Sequence, residues 1–298
     1  MEQNKSILFL INPFSGNGNG IKTAQIAAKE AKNKGYKTIE FVSKYAGHLS
    51  EFTELFSVNE IAKIAVIGGD GSMHEVVNAA ANNPTWLQVP YVLFPSGTGN
   101  AFTYDLNCLT TTQAINLLLN GTETLIDLAE VKNHQGSIWS FNIIGCGLVA
   151  DINLSAEKMR LFKSARYNIA SLLNFIKNPT IKAKVTVNNQ VIDSDFCFLL
   201  ACNTRYTGKA MKMAPLAKLN DGLIDFLMVE KTSRFKLLNL FPKVFSGKHL
   251  EAPILKYIQT NYIKIETQHA GLVNIDGEIK GNTPMEIIIH KQKLKILS

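Results

Sequence analysis

Two glycine-rich turns carry the most legible chemistry of this chain, Gly68-Gly69-Asp70-Gly71-Ser72 and Pro95-Ser96-Gly97-Thr98-Gly99-Asn100. Each follows a short apolar run, 64–67 and 91–94, that reads as a β-strand. Glycine lets a backbone approach a ligand closely and adopt positive φ. Successive N–H groups at a turn leading into a helix form a cradle for an anion, so the pair predicts a phosphate site. Both turns fall at the carboxyl ends of neighbouring strands, where open α/β sheets bind ligands. Asp70 sharpens the expectation. A carboxylate beside polyphosphate adds only repulsion unless it binds Mg²⁺ or accepts a proton, so its position predicts phosphoryl transfer rather than nucleotide storage.

The elements that must hold these turns are readable from periodicity. A strand over 7–11, an alanine-rich helix over 20–34, a strand over 36–42, a helix from 49, a helix over 72–81 and helices near 101 and over 111–119 alternate with the two strands above. Such βα repetition predicts a doubly wound parallel-sheet nucleotide-binding domain over 1–122. Beyond it the pattern changes to period two, over 124–132, 138–144, 181–187, 191–201, 223–229 and 262–267, interrupted by a helical insert over 155–176. An antiparallel β-sandwich domain over 123–298 follows, with a C-terminal end able to pack back on the first domain. The cleft between the two is the expected active site of this α/β chain.

The 298 residues have a formal net charge of +7 but no dense basic run, which fits ATP and an anionic membrane surface as partners and excludes a nucleic-acid arm. Cys108, Cys146, Cys197 and Cys202 lack metal-ligand spacing and lie mostly in apolar stretches, as expected of reduced thiols in a cytoplasmic protein. The polar start and the short apolar run after it fit neither a signal peptide nor a membrane span, so membrane contact is expected to be peripheral. Gly16 to Thr23 nearly spells a phosphate-binding P-loop, but Ile21 separates the last glycine from Lys22, and the loop 12–20 is better read as lying against nucleotide phosphates as a whole. Ser72 and Glu75 have the spacing of a capping box at a helix start, and His74 beside them reads as structural.

Five motifs in order now carry a resemblance that covers almost the whole chain. Asn12-Pro13-Phe14-Ser15-Gly16, the turn 68–72 with Glu75 and Asn78, the turn 95–100, Ala214-Pro215 followed by Asp221-Gly222-Leu223-Ile224-Asp225, and Asp276-Gly277-Glu278 resemble the diacylglycerol kinase catalytic-domain family, which includes sphingosine and ceramide kinases. The resemblance implies transfer of phosphate from ATP to a lipid hydroxyl, with Mg²⁺. It implies ATP contacts at Asn12, Pro13, Ser15, Gly16, Gly68, Gly69, Gly71, Ser72, Ser96, Gly97, Thr98 and Asp276, with Arg160 and Arg166 as cations for the phosphates. Ser43 and His48 match positions that contact adenine or ribose, a structural role standing equally open for them. The base is Asp70 or Glu278, and Asp-Gly at 276–277 is also a hairpin signal. Lys218, Asp221 and Leu223 match a structural Mg²⁺ site, although Asn220-Asp221-Gly222 also suits an ordinary turn.

Asp151, Asn153 and Glu157 resemble the acceptor-binding stretch of sphingosine kinases, with one departure: Asn153 is neutral where those enzymes carry an acid. The expected acceptor is therefore diacylglycerol or a similar lipid alcohol. A sphingoid long-chain base, a soluble metabolite as in NAD kinases, and a silent nucleotide-binding protein are the alternatives. One charge-assisted hydrogen bond contributes about 1.5–3 kcal/mol, so Asn153→Asp should move the ratio of specificity constants toward sphingosine by roughly one to two orders of magnitude. Steady-state kinetics on both lipids with both proteins checks this, and a parent that already prefers sphingosine would sink it.

Overall fold

Every residue of the first strand, β1 (Ser6–Ile11), is buried. A strand reaches that state when helices cover both faces of its sheet, and its near-continuous apolar sequence is the signature of that position. The computed structural model describes residues 5–97, 99–158, 177, 179–208 and 210–298. The chain divides into two units, Met1–Asp127 with Gln292–Ser298, and Leu128–Lys291.

In the first unit β1 is followed by the single turn α1 (Ser15–Gly18), α2 (Gly20–Asn33), β2 (Lys37–Val42), α3 (Phe52–Leu55), β3 (Ile61–Gly68), α4 (Asp70–Asn82), β4 (Tyr91–Pro95), α5 (Ala101–Asp105) and α6 (Thr111–Asn120). β1 pairs in parallel with β2 on one side and β3 on the other, β3 pairs in parallel with β4, and Ile296 near the chain end pairs in parallel with Tyr91. The chain thus winds outward from β1 in one direction to β2 and in the other through β3 to β4. This is the doubly wound parallel sheet, and its reversal point lies between β1 and β3. Ala24, Ala27, Ala28 and Ala31 form one buried stripe of α2 and share a core with Ile7, Phe9 and Ile11. Alanine suits that stripe because small side chains let the helix lie close to the strands. The edge strand β2 is partly or fully exposed along its whole length.

The second unit is antiparallel. It holds most of β5 (Glu123–Asn133), then β6 (Gly136–Ser140), β7 (Ile143–Gly147), α7 (Leu148–Lys158), β8 (Ile181–Val187), β9 (Gln190–Cys202), β10 (Ile224–Glu230), α8 (Arg234–Leu240), β11 (Leu255–Thr260), β12 (Tyr262–Thr267), β13 (Leu272–Ile275), β14 (Glu278–Asn282) and most of β15 (Met285–Leu297). β9 organises it, pairing with β8 through its first half and with both β7 and β10 through its second. Val185, Phe196, Leu199, Phe226, Ile263, Val273 and Ile287 fill the sandwich core.

Two expectations need correction. The single strand over 138–144 is broken into β6 and β7, because the buried Asp276 carboxylate draws the N–H groups of Phe141, Asn142 and Ile143 out of a strand ladder. The helix expected from residue 72 begins at Asp70. Only the start of the insert over 155–176 falls among the described residues, where helix is already present from Leu148. All four cysteines are buried, and burial pushes the Cys108 thiol up to about 11 and the Cys146 thiol up to about 12.

Asp225 on β10 is 1% exposed and accepts hydrogen bonds from Tyr257 Oη and, at 3.0 Å, Gln259 Nε2. Burial raises its carboxyl above the ordinary 3.8; the two hydrogen bonds oppose the rise and the nearby charge of Asp221 adds to it. A carboxyl with a raised folded pKa holds its proton more tightly when folded. Its stabilising contribution is therefore complete below pH 3.8 and is lost as pH rises through the window above that value. Asp225→Asn keeps an acceptor for both partners and removes the titration. Urea midpoints measured from about pH 4 to about pH 7 should fall less steeply in the variant than in the parent; parallel profiles would rule the effect out.

Candidate functional site

The reversal point between β1 and β3 is where an open α/β sheet presents a crevice, and the loops leaving β1, β3 and β4 meet there. Asn12 N–H donates to Ile67 O at 3.0 Å and Ser96 N–H to Gly68 O at 3.0 Å, so each strand pairing continues one step into the loops. Asn12 Nδ2 then donates to Ser72 Oγ at 3.3 Å, joining the first loop to the start of α4. Ser15 Oγ donates to Asn12 O at 2.8 Å, with Pro13 turning the chain between them. Gly20 opens α2 directly over that same carbonyl, where an added Cβ would lie 2.1 Å from Asn12 O. Gly16 has φ +60° and faces Ser96, a place that only glycine enters without strain.

Glycine is used differently in the other two loops. Gly68, Gly69 and Gly97 do not have positive φ; Gly69 is extended at φ −113°. The left-handed backbone expected there is corrected to a requirement for contact: a Cβ on Gly97 would stand 2.5 Å from Gly69 Cα, and one on Gly69 would stand 2.8 Å from Gly97 Cα. The loops after β3 and β4 therefore touch backbone to backbone. Asn100, with φ +49°, folds its side chain back to accept from Gly97 N–H at 2.7 Å.

Asp70 bridges the same two loops. Its Oδ2 accepts from Ala101 N–H at 2.9 Å and its Oδ1 from Phe102 N–H at 3.3 Å, at the first turn of α5. Asp70 is also the first residue of α4, where a negative charge is favoured by the helix dipole. With the helix starting at Asp70, Gly71 and Ser72 lie in its first turn, where backbone N–H groups have no carbonyl of the same helix to meet and suit an anion. The capping box expected from Ser72 and Glu75 is absent: Gly69 is the N-cap, and Glu75 Oε1 accepts from Ser50 N–H at 3.1 Å.

His48 is buried between the rings of Phe41 and Tyr45, at 4.7 and 4.6 Å, and its Nδ1 accepts from Lys44 N–H. Ser43 N–H donates to Ile11 O at 2.8 Å, extending the β1–β2 pairing and leaving its side chain half-buried at the end of β2. His74 is 1% exposed and shares Asn78 as a neighbour on α4, the structural place expected for it.

In the second unit, Asp276 and Gly277 have φ +53° and +94° and form the two-residue turn joining β13 to β14, since Ile275 pairs with Glu278. Asp276 is 2% exposed, and Ser140 Oγ, Phe141 N–H, Asn142 N–H and Ile143 N–H all donate to it. Its carboxylate is occupied in shaping this hairpin. Glu278 projects from the tip, exposed, with Lys280 Nζ at 3.8 Å. Asp151 lies half-buried on α7, where burial raises its carboxyl and Lys177 pulls the other way.

Asp221 closes an Asx turn by accepting from Leu223 N–H at 3.0 Å, and Lys218 is exposed just before it. Among the described residues no three His, Cys, Asp or Glu side chains are grouped as a metal cluster. A hard-oxygen set of the Asp221 carboxylate and the carbonyls of Lys218 and Leu223 still fits Mg²⁺, which takes few protein ligands and keeps its waters.

Thr98, Arg160 and Arg166, and the side chains of Asn153 and Glu157, lie outside the described residues. Sequence reasoning missed Ser140, Asn142 and Asn274, which position the hairpin; Asn274 Oδ1 accepts from Gly277 N–H at 2.9 Å. No local signal could have found them, because their partners are distant in sequence or set by the turn itself.

The fold joins a doubly wound parallel sheet to an antiparallel sandwich. Residues 6–131 match the diacylglycerol kinase catalytic domain, and residues 142–298 match the YegS C-terminal NAD kinase beta sandwich-like domain. The chain belongs to the diacylglycerol kinase catalytic-domain family of lipid kinases. It is 27% identical to a diacylglycerol kinase of Mycobacterium tuberculosis across 97% of this chain and 93% of that one, and 25% identical to one of Bacillus subtilis across 95% and 93%. Sphingosine kinase 1 of Arabidopsis thaliana is 24% identical over 92% of this chain and 68% of its own length. A crystal structure of a diacylglycerol kinase from Bacillus anthracis shares the fold, with a TM-score of 0.81 at 22% identity over 98% of this chain and 96% of that one.

The Gly69–Gly97 contact makes a graded test. Gly97→Ala forces backbone apart and should lower unfolding stability by about 1–3 kcal/mol, as overpacking does. Gly99→Ala meets only the Asp70 carboxylate, at 3.3 Å, and should cost less than half as much. Equal denaturant midpoints for the two variants would contradict the contact.

Proposed function

We propose that this lipid kinase transfers the γ-phosphoryl group of ATP to the hydroxyl of diacylglycerol or a similar lipid alcohol. The observation that carries the reading is the meeting of three loops at the reversal point of the sheet, at the N-terminus of α4. In this reading Asn12, Pro13, Ser15, Gly16, Gly68, Gly69, Gly71, Ser72, Ser96, Gly97 and Thr98 line the phosphates. Ser43 and His48 stand toward the nucleoside, and Arg160 and Arg166 offset charge on the transferring group. The Asp221 carboxylate with the carbonyls of Lys218 and Leu223 would hold a structural Mg²⁺, and Mg²⁺ carried with the nucleotide would supply charge neutralisation.

The two acids are proposed to divide the work. Asp70 already accepts two backbone hydrogen bonds, which supports it as the residue that holds the phosphate loops in register, and its negative charge would be offset by Mg²⁺. Glu278, exposed on a rigid two-residue hairpin anchored by Asp276, is proposed to accept the hydroxyl proton. The same hairpin is what the proposed Asp276 contribution to the nucleotide site amounts to. A long-chain-base acceptor is a second reading, favoured by Asp151, an acid half-buried on α7. The acceptor is an amphiphile, so the enzyme is proposed to visit a membrane surface from the cytoplasm. Among the described residues no helix is long and apolar enough to cross one.

Labelled ATP, Mg²⁺ and a panel of diacylglycerol, ceramide, sphingosine and NAD, with the product identified, test the reading; phosphorylation of NAD alone would refute it. Glu278→Gln should lower kcat by about 10²–10⁴-fold with KM for ATP unchanged, the mark of a lost proton acceptor. Asp70→Asn should lower both activity and unfolding stability, the latter by about 1–3 kcal/mol, because an amide leaves one backbone N–H without an acceptor. Activity within a few-fold of the parent in either variant would remove that residue from the scheme.

A further inference from the structure

The chain's positive charge is not spread evenly. Segments 196–220 and 231–250 contain nine Lys and Arg and no Asp or Glu, so together they account for more than the whole net charge of +7. The second unit folds the two segments against each other. Lys212 N–H donates to Val244 O at 3.0 Å, His249 Nε2 donates to Met213 O at 2.7 Å, and Gly247 sits against Pro215. Beneath them Ala214, Ala217, Leu237 and Leu240 join one apolar core with Leu227 and Val229. That core explains the buried side of α8 and the turns after it. It does not explain the outer side, where Phe235 is 67% exposed, Leu216 57% and Phe245 49%. Lys236, Lys243 and Lys248 are exposed alongside them, and the Arg234 guanidinium stands 5.4 Å from the Phe235 ring centre. Large apolar side chains held out among lysines, with no acid in either segment, have the composition of surfaces that seat in the headgroup layer of a bilayer. Acid-free basic clusters add attraction to anionic lipid.

We propose that α8 and its flanking turns, with the 212–218 loop, form the surface by which this protein docks on a membrane containing anionic phospholipid, Phe235 and Phe245 entering the headgroup layer. The proposal deepens the lipid-kinase reading and rests on it, because an acceptor held in a bilayer must be approached at that bilayer.

The test separates docking from catalysis. The full chain is sedimented with vesicles of phosphatidylcholine alone and of phosphatidylcholine with phosphatidylglycerol, without ATP. Activity is measured separately on a short-chain diacylglycerol dispersed in water. The parent should bind the anionic vesicles, with binding weakened by added salt. Lys236→Glu with Lys243→Glu should weaken that binding by roughly 25-fold or more, at about fivefold for each charge removed. Phe235→Ser with Phe245→Ser should weaken it as well, and both double variants should keep the parent's activity on the dispersed substrate. Lys29→Glu with Lys32→Glu, exposed on α2, should bind as the parent does. A parent that ignores anionic vesicles, α8 variants that bind like the parent, or α2 variants that lose as much would each overturn the surface. Vesicle binding by a protein that phosphorylates none of the lipids would uphold the surface and refute the kinase reading.

Discussion

The contact between Gly69 and Gly97 is the constraint on which the first unit's site depends. Two backbones approach so closely that neither position tolerates a β-carbon without movement. Asp70 then locks the approach by accepting from the first turn of α5, and each such charged hydrogen bond contributes about 1.5–3 kcal/mol. The loops joined this way meet at the start of α4, which carries no side-chain cap. The absence of the Ser72–Glu75 box has the same logic. A serine that capped its own helix would occupy the donors that an anion needs, and here Ser72 instead receives Asn12 from the neighbouring loop.

The second unit solves a similar problem with a buried acid. Asp276 sits in a turn with positive φ and gathers four donors from the β6–β7 corner, so a carboxylate 2% exposed has no uncompensated charge. The consequence reaches two places at once: β6 and β7 are separated, and the hairpin tip that carries Glu278 is fixed. Asp225 is a second buried acid. Its two hydrogen bonds come from a phenol and an amide rather than from a set of backbone N–H groups, and its carboxyl stays raised.

The architecture was legible because its causes are local. A run such as Ile7–Ile11 has no polar alternation and must be covered on both faces, and the alanine stripe at 24, 27, 28 and 31 has helical spacing. The glycine turns raised the expectation of an anion site, since few other uses require that many small residues after a strand. The Asp-Gly pair at 276–277 announced a hairpin, and it is one.

What the amino-acid sequence determined alone was therefore the two-part architecture, the family and the positions of the loops that matter. Tertiary structure decided what each residue in those loops does. Gly69 reads as a site of positive φ until Gly97 is seen beside it, Asp70 reads as free until Ala101 and Phe102 donate to it, and residues 138–144 read as one strand until Asp276 reaches across to divide them. In each case the partner lies between 28 and 136 residues away in the chain, beyond any periodicity or spacing rule. Propensity reports how a segment folds against an average environment, whereas close contact and hydrogen-bond competition depend on which distant backbone arrives there.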